Sequence, residues 1–535
     1  MILAMTINPE FIRPLLADAG IPPGIVNECK IDPVPEGSLA ITFQVVTPTG
    51  EVCFLKFCET EGARGGPFLK HLLPIDHVSM REHSTKRRRF VRKALDHIVT
   101  HYRSTLVPRP LYFDLSSDSM AIQKSKEKNG VLAEYRVKRD GAKENTPAVL
   151  LEMVGTLWQG LEIDHLPLLS EDRKNVWEPM EYAPEIIFQC NAAIGEFQRE
   201  AEVFVTKTIE RKVSNQKGSS LEVRTKIEKK LEHEQRSFKG YETLMQDFLS
   251  ALGIVSLDDL DLSLQSKGEE LLKALAIRLQ TSGEKSVGEL QKRFLEGVII
   301  PGNDPSKFSS LDFHKLVFTA EREKWWTPEV RSRAKALARL GQVEKIAQVM
   351  KTRPGDIITL IQSLRNFKTA YLKLETLTKG MVPQDGHPFN FFRNKKDGKI
   401  TMLDLEDISM GPRFADLSAV YIFKIVRGFV DQKITEDQAI KLIQASIDGY
   451  NSEIASSLTQ EELSLMADYV LAVFLNHLPQ FGIILRLHEE ELNSYNLAMS
   501  LEEFLTQFEK LQKIGHAWVE TFLPRYLKHL GKSTS

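Results

Sequence analysis

Cysteine is the rarest chemistry in this chain. Cys29, Cys53, Cys58 and Cys190 are the only four in 535 residues. None of them stands in Cys-x-x-Cys spacing, which sets aside a thiolate metal site and a disulfide-stapled scaffold; so few thiols suit a reducing compartment. A surplus of one charge is missing too. Seventy Lys and Arg against 72 Asp and Glu leave a net charge of −2, which argues against a general nucleic-acid binder. Long hydrophobic runs are absent: the most apolar later stretch, Tyr469 to Leu485, is broken by Asn476, His477, Pro479 and Gln480, so it reads as core and not as a membrane span. The first residues lack the basic start and apolar run of a signal peptide. The expectation is a cytoplasmic protein with no membrane span and no nucleic-acid partner. There is no internal repeat and no low-complexity linker.

What remains is ordinary globular material, 42% hydrophobic and 27% charged, in a chain longer than one usual domain. Its most informative stretch is Asp385-Gly386-His387-Pro388-Phe389-Asn390, followed by Leu403-Asp404-Leu405-Glu406-Asp407. Between them, Phe391-Phe392 starts a strand, Asn394 to Lys399 forms a polar turn containing Asp-Gly, and Ile400 to Leu403 returns as a second strand. The hairpin delivers Asp404 beside Asn390. An amide and a carboxylate from neighbouring segments are hard oxygen donors of the kind Mg²⁺ accepts. Asp385 is placed to accept or orient the proton of an attacking hydroxyl. Phosphoryl transfer needs little more than such positioning and charge stabilisation. Taken singly, each of these segments is common as a solvated turn; it is their order and the strands between them that carry the reading.

The ordered string Asp385, His387, Pro388, Asn390, Asp404, Glu406, Asp407, Gly411, Pro412, Asp416 and Leu417 resembles the catalytic and metal loops of the aminoglycoside phosphotransferase and choline kinase group, which has a protein-kinase-like fold. The chain departs from that pattern at Pro383-Gln384, where the family usually has His-Gly and the histidine braces the loop. The resemblance implies an α+β, bilobal protein-kinase-like fold, with a small antiparallel-sheet N-lobe and a large, mostly helical C-lobe. It implies ATP and Mg²⁺ as cofactors, Asp385 as the catalytic residue, and Asn390 and Asp404 as metal ligands.

Such a fold needs a strand lysine for the phosphates and a helix glutamate to hold it. Residues 39–57 alternate as a hairpin about the turn Thr47-Pro48-Thr49-Gly50. Lys56 sits among apolar neighbours, where an unpaired amine is costly, and is the nucleotide-lysine candidate; the alternative is an edge-strand lysine that blunts aggregation. Glu82 is its candidate partner, on a helix striped by Phe90, Ala94, Leu95 and Ile98. The alternative for Glu82 is a carboxylate suiting the first turn of that helix. The basic run Lys86 to Arg89 reads as a solvated face. The resemblance further implies that the turn holding Gly37 and Ser38 covers the phosphates. The strand Ala148 to Val154, ending at Gly155, would link the lobes and read adenine with backbone near Glu152 and Val154.

Domain boundaries are expected at 1–152 for the nucleotide-binding lobe and 153–535 for the catalytic and substrate lobe, with a helical insertion at about 205–354. That insertion is either a platform for a substrate or partner or an elaboration packed on the second lobe. Helices are expected at 182–203, 361–377 (stopping at Gly380), 417–429, 436–456, 460–476 and 500–524. The expected function is ATP- and Mg²⁺-dependent phosphorylation of a hydroxyl on a small aminoglycoside-, choline- or sugar-like molecule. The alternatives are a kinase or nucleotidyltransferase acting on a protein, and a nucleotide-binding pseudokinase. Glu489-Glu490-Glu491 and Glu502-Glu503 are acidic enough to attract a cation, though acidic helix faces are common.

Overall fold

The computed structural model describes residues 3–7, 12–18, 20–34, 40–59, 77–116, 133–137, 153–169, 177–215, 219–231, 372–377, 379–405, 408–475 and 501–533. The N-terminal part opens with β1 (Leu3–Ile7), α1 (Ile12–Asp18), α2 (Pro23–Val26) and β2 (Lys30–Pro33). The expected hairpin follows as β3 (Ala40–Val46) and β4 (Val52–Glu59). Its turn closes through the Gly50 amide donating to the Thr47 carbonyl at 2.9 Å, and Gly50 takes φ +83°, where a side chain would be strained. Next come α3 (His77–His101), β5 (Pro110–Ser116), β6 (Ala133–Val137) and β7 (Met153–Gln159). Five strands form an antiparallel sheet in the order β2-β3-β4-β7-β5, while β1 pairs with β6.

Period-two alternation decides which residues this sheet buries. Phe43, Val45, Cys53 and Leu55 point inward and close a small core with Ile12, Leu16, Val26, Cys29 and Leu157. Lys56, one step on from Leu55, points to the other face, with Thr42 and Thr156 as its cross-strand neighbours. The strand expected to stop at Gly155 does not: β7 runs on to Gln159 in the middle of the sheet. Gly155 lies between Phe57 and Leu115, where the β5 register shifts; a glycine inside a strand suits such a bulge.

The second, larger core is mainly helical. β8 (Ile163–His165), α4 (Pro184–Asn215) and α5 (Ser220–Leu231) precede β9 (Lys379–Val382), β10 (Phe391–Asn394), β11 (Ile400–Met402) and β12 (Ser409–Pro412). A π-helical turn at Leu417–Ile422 leads into α6 (Phe423–Val430), then α7 (Glu436–Glu453), α8 (Gln460–Leu475) and α9 (Leu501–Ala517). A second π turn at Trp518–Phe522 leads into α10 (Leu523–Ser533). Sheet and helices are largely segregated, which makes the molecule α+β. The hairpin β10–β11 forms as the polar turn predicts, with β8 added as a third strand. β9 and β12 make a separate pair in which Gly380 faces Gly411. Gly380 therefore lies inside a strand and is not a helix stop; the helical stretch before it covers 372–376.

Helix α4 runs to Asn215, beyond the expected end near 203, because its apolar stripe continues through Ala201, Val205 and Ile209, all buried. The expected start of the insertion at about 205 falls inside this helix. α5 packs beside it and buries Val223, Ile227 and Leu231 in the same core. Residues 232–371, most of the expected insertion and Trp325-Trp326, lie outside the described residues. α4 and α7 approach closely at two glycines. A Cβ on Gly195 would stand 2.6 Å from the Tyr450 carbonyl oxygen, and one on Gly449 would stand 2.3 Å from that of Phe188. α3 joins this larger core through Val91, Ala94, Leu95 and Ile98. Its basic run is not wholly solvated: Arg89 is exposed, but Arg87 is buried. Among the described residues no helix is long and apolar enough to cross a membrane.

Candidate active site

The loop 383–390 leaves β9 and is shaped by one buried carboxylate. Asp416, 2% exposed, accepts the Gln384 amide through Oδ2 and the Gly386 amide through Oδ1, both at 3.1 Å. These two bonds clamp the backbone on either side of Asp385. Gln384 takes φ +73°, and its Nε2 donates to the Ser409 hydroxyl of β12 at 2.7 Å. Pro383 stands where the resembled pattern has histidine and Gln384 where it has glycine, and it is the Gln384 side chain that braces the loop, through β12. A Cβ at Gly386 would press on Ile194 Cδ1 at 3.3 Å and touch Asp416 Cγ at 3.4 Å, so a larger residue there asks the Ile194 side chain to shift by a few tenths of an ångström.

Asp385 leaves this clamp with its side chain 46% exposed and its Oδ1 3.5 Å from His387 Nε2. Asn390 follows in a short 3-10 turn, Pro388–Asn390, and is buried. Its Nδ2 donates to the Asp385 carbonyl at 2.8 Å and, more distantly, to Asp385 Oδ2 at 3.4 Å. With the amide nitrogen engaged this way, the amide oxygen is the atom suited to a cation. The Leu403 amide donates to the Asn390 carbonyl at 2.8 Å, which fixes the hairpin end against the loop. The next residue, Asp404, takes φ +56°. Two non-glycine residues in the left-handed region, one beside Asp385 and one the acid Asp404 itself, hold conformations costing about 1–3 kcal/mol each.

Across the molecule, Lys56 Nζ reaches Asp404 Oδ1 at 2.6 Å, a contact between residues 348 apart in sequence. Asp404 is 44% exposed and Lys56 20%, so the pair is worth about 0–1 kcal/mol of stability; what it shows is placement. Lys56, expected to face the acids of the last third, does so. The donor set fits Mg²⁺ in kind, one amide oxygen and one carboxylate. Among the described residues no group of three or more His, Cys, Asp or Glu could hold a metal. A two-residue protein set leaves the rest of the octahedron to water and phosphate oxygens, as Mg²⁺ sites at nucleotides commonly do.

Other expected site residues are brought less fully into view. Val154 lies in β7, opposite Cys58 of β4. Glu82 falls on α3, but its side chain lies outside the described residues, as do Gly37, Ser38 and Glu152. Glu489 to Glu491 and the side chains of Glu502 and Glu503 also lie outside them.

Two groups had no signal in the sequence. Trp177 packs its ring on His387, centroids 5.0 Å apart, and stacks on Phe389 at 5.2 Å. Lys424, on α6, donates from Nζ to the Trp177 carbonyl at 3.3 Å. Both are remote in sequence from the Asp385 loop and belong to no motif. Burial pulls the His387 imidazole below its ordinary value; the Asp385 charge opposes this, Lys424 reinforces it, and Asp404 opposes it. Burial likewise pulls down the Lys424 ammonium, against the carboxylates of Glu178 and Asp385, with Arg427 adding to the fall.

No family model matches the chain, and no curated protein matches it. Among solved structures, it is similar to an amicoumacin kinase in complex with AMP-PNP and Ca²⁺ (10% identity, 92% of this chain and 89% of that one, TM-score 0.32). It is similar to an aminoglycoside phosphotransferase from Alicyclobacillus acidocaldarius (13%, 95% and 97%, TM-score 0.32). It is also similar to a choline/ethanolamine kinase family protein from Mesorhizobium loti (12%, 98% and 98%, TM-score 0.33). These neighbours are of the kinds the motif string resembles.

Proposed function

We propose that the protein is a bilobal, kinase-like phosphotransferase that moves the γ-phosphoryl group of ATP to a hydroxyl of a small molecule. The observation that carries this reading is the contact of Lys56 with Asp404, at the end of the hairpin that also ties down Asn390 and, through it, Asp385. The two separate hydrophobic cores, one under the sheet and one among the helices, support the bilobal arrangement; the boundary near 152 remains part of the proposal, since α3 packs into the larger core.

In this reading Lys56 leaves Asp404 to hold the α- and β-phosphates, with Glu82 holding the lysine in turn. The turn at Gly37 and Ser38 covers the phosphates, and backbone near Glu152 and Val154 meets adenine. Asn390 and Asp404 would hold Mg²⁺, which would offset charge on the phosphate oxygens. Asp385 accepts the proton of the acceptor hydroxyl as its oxygen bonds to the γ-phosphorus. The bond from that phosphorus to the bridging oxygen breaks, and ADP leaves with the electron pair. The clamp from Asp416 keeps Asp385 in line throughout, since catalysis here is largely positioning.

The test is a phosphotransfer screen with ATP and Mg²⁺ against pooled alcohols and sugars, with product mass as readout. A gain of one phosphoryl group is expected, and a gain of a nucleotidyl group overturns the reaction assigned. Asp385→Asn should lower turnover by about 10²–10⁴-fold while Mg-AMP-PNP binding persists. Undiminished turnover in that variant, or no nucleotide binding by the unaltered chain, refutes the assignment.

A further inference from the structure

The acceptor side of this site has features that the phosphotransfer reading leaves unused. Trp177 and Phe389 stack at an interplanar angle of 27°, yet they stay 45% and 36% exposed. Stacked rings that still face solvent offer a flat surface that a flat ligand can cover. The pair borders the reacting carboxylate directly. Phe389 lies on the Asp385 loop, and Trp177 packs on His387, whose Nε2 is 3.5 Å from Asp385 Oδ1.

A cation is fixed to the same shelf. Lys424 is anchored by its bond to the Trp177 carbonyl, and that oxygen takes only one of its three ammonium protons. Its field reaches both Asp385 and His387. The Glu178 and Asp385 carboxylates favour its charged form, while Arg427, a second positive group that opposes it, is itself engaged by Asp431 at 3.5 Å. Asp385 is committed to the acceptor hydroxyl in the reading above. An acceptor with a positive group on this shelf would meet Lys424 as a like charge, which disfavours binding. A carboxylate or phosphate would gain a charge-assisted hydrogen bond.

We propose that Trp177, Phe389 and Lys424 form the acceptor subsite, and that it selects a hydroxylated compound with a flat apolar or aromatic portion and an anionic group. This rests on the phosphotransferase reading and narrows it away from polycationic and quaternary-ammonium acceptors. The stacked rings take the flat portion, Lys424 takes the anion, and the hydroxyl is left facing Asp385.

Three probes of one shape test it: para-hydroxymethylbenzoate, benzyl alcohol and para-hydroxymethylbenzylammonium. Each is titrated into the full chain by saturation-transfer NMR with Mg-AMP-PNP present. The benzoate should bind about tenfold or more tighter than the ammonium, the weight of one hydrogen bond to a charged group, with the alcohol between them. Lys424→Glu should invert the order and Lys424→Arg should keep it. Trp177→Ala should weaken all three together. An ammonium probe that binds as well as the benzoate overturns the proposal. So does an order unchanged in Lys424→Glu, or a nucleotide-loaded chain that binds none of the three. Failure to hold Mg-AMP-PNP at all refutes the phosphotransferase reading instead, so the two failures are told apart.

Discussion

Replacing Asp416 with alanine removes the carboxylate that the Gln384 and Gly386 amides share. Both amides then lose a charged acceptor at a buried site. A hydrogen bond to a charged group contributes about 1.5–3 kcal/mol. Because the two bonds share one carboxylate, their losses do not simply add, and about 3 kcal/mol is the expected local cost. At 1.4 kcal/mol per factor of ten, amide exchange in the loop should accelerate about a hundredfold. The assay is hydrogen–deuterium exchange on peptides covering 383–390, read beside peptides from α4 and α7. Asp416→Asn keeps one acceptor oxygen and should fall between wild type and alanine. Turnover should drop about a hundredfold as well, the usual consequence of misplacing a reacting group by about 1 Å. Exchange that is unchanged in 383–390 refutes the clamp. Acceleration spread equally over α4 and α7 also refutes it, because Asp416 would then be supporting the fold and not the loop.

Gly449→Ala should lower the melting temperature, since its Cβ would stand 2.3 Å from a backbone oxygen of Phe188. Backbone cannot step aside, and overpacking of this kind costs about 1–3 kcal/mol. Gly24→Ala, which meets nothing within 4 Å, is the control that should leave it nearly unchanged. Burial pushes the Asp468 carboxyl up to about 6, with Lys373 pulling it the other way. The folded state then holds a proton that the unfolded state releases near about pH 4, so stability falls as pH rises through that window and levels off above it. Asp468→Asn should therefore melt higher than wild type at neutral pH, with the gain vanishing below about pH 4; a gain independent of pH would mean that this titration plays no part.

Local chemistry written in the residues themselves was legible before any fold was known. The hairpins at 40–59 and 391–402 follow from alternation and from turns that contain glycine. Helices α6 to α9 fall within or close to the spans expected from the sequence, while α10 continues past the expected end at 524, and the order Asp385, Asn390, Asp404 follows from a motif carried on neighbouring segments. Such features depend on interactions within a few residues, so a linear reading captures them. Where partners are distant and no motif points to them, that reading had no hold. It ended a strand at Gly155 and a helix near 203, and it gave Arg87 to solvent, because a sheet neighbour, a continuing core and a packed helix decided those positions. Only tertiary structure put the Lys56 ammonium on Asp404, gave Gln384 a partner in Ser409, and set Trp177 and Lys424 beside the Asp385 loop. Hydrogen bonds and charges act over a few ångströms of space and not along the chain, so groups hundreds of residues apart become neighbours only when the chain has folded.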